Sequence, residues 1–119
     1  MLIEAILLGT LTATSYRAVP EQTKLTCTGR YHCETADGEN VSELGIAVSQ
    51  DFIRSGKIHF GDVLYIDTIG YRIVNDVMAA RIHNSVDIFV YSYAEEKKIG
   101  VRHLKVYLIQ QKQKSPEEE

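Results

Sequence analysis

The sequence predicts a mainly β domain with two short helices, and three observations carry that prediction. Short runs of β-prone residues are separated by turn formers, among them several glycines. His103, Lys105 and Tyr107 alternate with Leu104, Val106 and Leu108, the period of a strand with one buried face. Only two stretches carry helix signatures.

The strands are expected at residues 3–16, with a break near Gly9, then at 45–48, 63–68, 71–75, 86–91 and 101–109. Ile69-Gly70, between two β-prone runs, reads as a tight hairpin turn. The first helix is expected at 50–55, with Ser49 as N-cap and Gly56 as terminator. The second is better marked: Ser92-Tyr93-Ala94-Glu95 has the capping-box pattern, Lys97 and Lys98 lie in the last turn, and Gly100 follows. Residues 17–44 hold few β-prone runs and many turn formers, and are expected to form a long loop or lid. No internal repeat and no linker divides the chain, so residues 1–110 read as one domain and 111–119 as a polar tail.

At 119 residues, 45% hydrophobic and 24% charged, the chain has ordinary globular composition and can bury a single core. Its formal charge of -3, with no basic stripe interleaved with aromatics, argues against nucleic acid as the main partner. The apolar start, Met1 to Gly9, lacks a basic n-region, carries Glu4 and is too short to span a bilayer. It reads as part of a strand, with no signal peptide and no membrane span visible in this chain. Cys27 and Cys33 lie in a polar stretch: in an exported protein they would form a local disulfide, in a cytosolic one free thiols. A zinc site built from Cys27, His32, Cys33 and a remote His59 or His83 matches no common ligand spacing, so no metal and no cofactor is expected.

The block from Asn75 to Phe89 carries the chemistry. Asp76 and Asp87 stand eleven positions apart, each beside an apolar β-prone run, Ile73-Val74 before the first and Val86 with Ile88-Phe89-Val90 around the second. A carboxylate held against apolar surface is desolvated, which raises its pKa and fits it to protonate a leaving group. The alternative is structural: aspartates near strand ends commonly bond to turn backbone.

Six pieces of the chain in order resemble a known family. They are Thr12-Ala13-Thr14-Ser15-Tyr16, Thr35-Ala36-Asp37-Gly38, Gly45-Ile46-Ala47-Val48, Gly61-Asp62-Val63-Leu64-Tyr65-Ile66, the Asp76 to Asp87 block, and Gly100-Val101-Arg102-His103-Leu104-Lys105-Val106-Tyr107. Together they are similar to the 3D (three-aspartate) domain, related to the catalytic part of membrane-bound lytic transglycosylase A and to resuscitation-type, stationary-phase-survival muralytic proteins. The resemblance implies a six-stranded double-psi β-barrel. It also implies cleavage of peptidoglycan between N-acetylmuramic acid and N-acetylglucosamine without water, to a 1,6-anhydro product, outside the cytoplasm or by a phage-encoded protein. Asp87 then matches the family's acid, with Asp76 supporting it. Thr35 would bond into the pocket, or serve as a simple turn residue. From the residues themselves, Tyr16 reads either as a stacking partner for a sugar ring or as core, and His83 and Asn84, between the aspartates, either as lining the groove or as a solvent-facing loop.

The sequence departs from the family at two places. The usual Asp-Thr-Gly-Gly-Ala reads Asp76-Val77-Met78-Ala79-Ala80, so the permissive glycine pair is gone, and Arg81 is expected to fix a carboxylate in its stead. Ser49 stands where the third aspartate follows Ala-Val, with Asp51 two residues on, inside the expected helix. These departures motivate a second function class, a non-catalytic barrel serving as a glycan-binding or phage structural module. A third class, a hydrolytic glycosidase of similar fold, would need a second carboxylate suitably spaced from the first.

Overall fold

The computed structural model describes residues 2–17 and 44–111. Within them, alternating apolar residues build six strands: β1 (Ile3–Tyr16), β2 (Gly45–Val48), β3 (Val63–Ile66), β4 (Gly70–Val77), β5 (Ser85–Phe89) and β6 (Arg102–Gln111). Two helices accompany them, α1 (Gln50–Arg54) and α2 (Tyr93–Ile99). The strands close into a barrel in the order β1-β5-β2-β4-β3-β6. β1 with β5 and β2 with β4 run parallel; the other four pairs are antiparallel. This is the six-stranded barrel with short helices that the sequence predicts.

Inside, Leu11, Ile46, Val48, Ile58, Leu64, Ile66, Val74, Val86, Ile88 and Val106 are fully buried, and Phe52 of α1 packs against them. Each such side chain contributes roughly 1.5–3 kcal/mol over its exposed state, so these β-branched and leucyl residues hold the barrel shut.

Several local expectations are met. β1 is one strand whose register with β6 shifts between Leu7 and Gly9, so Leu8 is the extra residue of a bulge at the expected break. Gly9 adopts φ 139°, which a side chain would resist. Ser92 caps α2, its Oγ accepting from the Glu95 N–H at 3.1 Å, and Gly100 follows at φ 58°.

Others shift. The hairpin between β3 and β4 turns on Asp67, Thr68 and Ile69, with Ile66 paired to Gly70, so Gly70 opens β4 and Thr68 takes the positive φ of 68°. Helix α1 ends at Arg54, and Ser49 makes no side-chain cap. Its Oγ accepts from the Ser85 N–H at 3.0 Å instead, because that strand-end donor is buried and needs a partner. β4 extends to Val77, which places Asp76 inside the ladder and not in the turn after it. Cys27, Cys33, Thr35 and the lid expected at 17–44, apart from its ends at Arg17 and Leu44, lie outside the described residues, as does the tail from 112.

Candidate functional site

Register alone brings the two aspartates together. Ala47 of β2 pairs with Asp76 on one side and with Asp87 on the other, and Asp87 pairs in turn with Thr14 of β1. Residues opposite one another in a ladder point to the same face, so Thr14, Asp87, Ala47 and Asp76 form one row across four strands. The row faces outward, since Ile46, Val48, Val86, Ile88 and Ala13 on either side of it face the core. Two inter-strand spacings put the aspartate Cα atoms about 9–10 Å apart. Ala47, the smallest chiral residue, puts only a methyl group between the carboxylates and is itself 4% exposed.

A bulge aims Asp76. Ile46 pairs with Val74 and Ala47 with Asp76, so Asn75 is an extra residue in β4. In a regular strand Asp76 would share the face of Val74 and point into the core. The extra residue turns it outward, the re-aiming that bulges provide.

Burial sets the chemistry of the row. Asp87 is partly buried, and desolvation pushes its pKa up to about 6. Thr14 works against this, its Oγ1 donating to Asp87 Oδ1 at 2.8 Å and so favouring the carboxylate. The charges of Asp76 and Glu96 push the same way as burial. Asp76 is 8% exposed, and its Oδ1 accepts from the Val77 N–H at 2.9 Å. Above the row, Tyr16 is 5% exposed and packs edge-on to Phe89 with ring centroids 5.7 Å apart. Its ring therefore offers no open face for a sugar. Its hydroxyl is buried without a hydrogen-bond partner among the described residues, and burial, with Asp76 and Asp87 adding, holds its pKa far above the ordinary phenol value. Tyr16 thus stays a neutral hydroxyl close to both carboxylates. Glu96 of α2 is held beside the site by Arg17, whose Nε donates to its Oε2 at 2.7 Å.

The remaining expected residues fall elsewhere. Arg81 is exposed in the loop between β4 and β5 and makes no hydrogen bond or ion pair with either aspartate. His83 and Asn84 are exposed at the end of that loop. The Asn84 N–H donates to Asp51 Oδ2 at 3.4 Å, and the Asn84 carbonyl accepts from the Thr12 N–H at 3.3 Å. Desolvation pushes the Asp51 carboxyl up, but hydrogen bonds from Ser49, the Asn84 N–H and its own backbone, with the charge of His83, together outweigh it and leave the carboxyl below its usual range. These residues form a second polar group one step along the barrel from the aspartate row. Asp51 sits in α1, as expected, and Ser49 is fully buried against Ser85.

Thr14, Ala47, Glu96 and Arg17 were not singled out by the sequence. For Thr14 a signal existed: Thr12, Thr14 and Tyr16 alternate with Leu11 and Ala13, which sets them on the outward face. Among the described residues no three His, Cys, Asp or Glu side chains gather closely enough to hold a metal ion. No helix among them is long and apolar enough to cross a membrane. No protein-family model matches the chain, and no curated protein matches it in sequence.

Proposed function

We propose that this domain is a peptidoglycan lytic transglycosylase with Asp87 as its single acid/base. One observation carries the reading. Asp87 is desolvated, keeps its proton to about pH 6, and stands in register with a second carboxylate across a small alanine. In the forward step the Asp87 carboxyl gives its proton to the glycosidic oxygen, and the bond from the muramyl C1 to that oxygen breaks. The Asp87 carboxylate then takes the proton of the muramyl 6-hydroxyl as O6 bonds to C1. The product is a 1,6-anhydro end, no water is consumed, and the acid is restored. Asp76 stabilises the positive charge that develops at C1 and keeps Asp87 protonated through its own charge. Such a reaction places the protein where cell wall is found, outside the cytoplasm, or in a phage that attacks it.

Purified sacculi incubated with the protein test the reading by mass spectrometry of the released muropeptides. Anhydro ends are the expected product; reducing ends indicate a hydrolase instead. The absence of soluble product favours the second reading, a non-catalytic glycan-binding or phage structural barrel. Its motive is Ser49, which stands in the place of the third aspartate and is fully buried, its Oγ accepting from the Ser85 N–H.

A further inference from the structure

Between α2, the β3–β4 turn and the end of β5 lies a cavity of about 450 Å³ that the proposed chemistry leaves unused. Phe89, Ile69 and Ile99 give it an apolar lining, and among the described residues Arg72, Lys98 and Arg102 bring three cations to it and Glu95 one carboxylate. That local excess of positive charge sits in a chain whose formal charge is -3. Glu95 is already engaged in the cap of α2, its Oε1 accepting from Ser92 Oγ at 3.2 Å. Arg102 donates through Nη2 to the Lys98 carbonyl at 3.3 Å, which spends one of its five donors and holds the guanidinium beside the helix. An apolar lining with a few convergent cations suits a carboxylate-bearing ligand with alkyl groups.

The cavity adjoins the aspartate row. Phe89 lies two residues beyond Asp87 on the same outward face of β5, so the lining begins about 7 Å along the strand from the acid. In peptidoglycan the muramyl residue whose C1 is attacked also carries the stem peptide, through its lactyl ether, and that stem bears free carboxylates.

We propose that this cavity takes the acidic stem peptide of the muramyl residue being cleaved, with its carboxylates on Lys98 and Arg102 and its alkyl groups against Phe89 and Ile99. The assignment rests on the muralytic reading above, and the test separates the two. Its binding probe is the free tetrapeptide L-Ala-γ-D-Glu-diaminopimelate-D-Ala. Its substrates are sacculi and the same glycan stripped of stems by an amidase.

In an amide NMR titration of the full chain, the tetrapeptide shifts the signals of Phe89 and of Lys98 to Arg102. Lys98→Glu with Arg102→Glu weakens its binding about tenfold or more, the worth of at least one charge-assisted hydrogen bond. The same pair of changes slows anhydro release from sacculi and leaves cleavage of stripped glycan at the wild-type rate. Both side chains are exposed, and Arg102→Gln alone serves as the milder variant should the pair lower the melting temperature. No shift in the wild type, unchanged affinity in the variants, or equal slowing on both substrates overturns the site. Tetrapeptide binding without anhydro product from either substrate keeps the cavity as a peptide site and removes the muralytic reading.

Discussion

Two rows of side chains, on opposite sides of one barrel, use the same strands to opposite ends. Thr14, Asp87, Ala47 and Asp76 run outward across β1, β5, β2 and β4. Leu7, Tyr107, Tyr65 and Tyr71 run outward across β1, β6, β3 and β4. In the second row Tyr65 meets Tyr71 at 5.0 Å and Tyr107 at 6.3 Å between ring centroids, so the antiparallel side is stitched by cross-strand aromatic pairs. In the first, two carboxyl groups are withdrawn from water, and burial raises the pKa of Asp87. Aromatic pairing contributes about 0.5–1.5 kcal/mol per pair, whereas an ionised, poorly compensated carboxylate costs stability. The antiparallel side carries the aromatic pairs; the side with the parallel pairs carries the desolvated Asp87 on which the proposed acid role rests.

The largest break in that contrast is Asp87→Asn. Asparagine keeps the shape but transfers no proton, so anhydro release from sacculi should fall by about 10²–10⁴-fold. Stability should move the other way. Because the folded state holds the Asp87 proton to about pH 6 and the unfolded chain only to the ordinary aspartate value of 3.8, wild-type stability falls as pH rises across that window. The loss is at most about 3 kcal/mol. The variant escapes it, so its melting temperature should exceed the wild type's at pH 8 and match it near pH 3. Lower stability of the variant at pH 8 would show that Asp87 is a structural carboxylate.

On the opposite side, Tyr65→Ala removes a ring that pairs with both its neighbours. It should cost about 1–3 kcal/mol in denaturant unfolding while kcat on sacculi stays near wild type. An activity loss without a stability loss would dissolve the division between the two rows.

Smaller effects sharpen the first row. Activity that needs protonated Asp87 should decline with an alkaline limb near pH 6. Thr14→Val deletes the hydrogen bond that favours the carboxylate and should move that limb up; Asp76→Asn deletes a repelling charge and should move it down. Movement of both limbs in one direction contradicts the row. The smallest effect belongs to Tyr71→Ala: the ring is 60% exposed and holds one of the two tyrosine contacts, so about 0.5–1 kcal/mol is expected from thermal melts.

What local pattern encodes was legible in the sequence. The strand β2, the break near Gly9 in β1, the Ser92 cap and the alternating face of β6 all follow from neighbours a few residues apart. Both aspartates stood out because apolar runs flank them. What depends on partners far along the chain was not legible. Thr14 meets Asp87 only through the parallel pairing of β1 with β5, and no local period encodes that register. The bulge at Asn75 has no sequence mark comparable to Gly9, so β4 read as ending before Asp76. Ser49 has every feature of an N-cap, yet the buried Ser85 donor claims its hydroxyl. The expectation that Arg81 binds a carboxylate assumed that proximity in sequence meant proximity in space, and the loop carries it to solvent.

The most direct measurement is the titration of the Asp87 side-chain carboxyl, followed by its ¹³C shift in the wild type and in Asp76→Asn. A raised midpoint near 6 that falls in the variant is the expected result. A midpoint near 4, unmoved by the loss of Asp76, would mean that Asp87 is an ordinary surface carboxylate and that the row is no acid site.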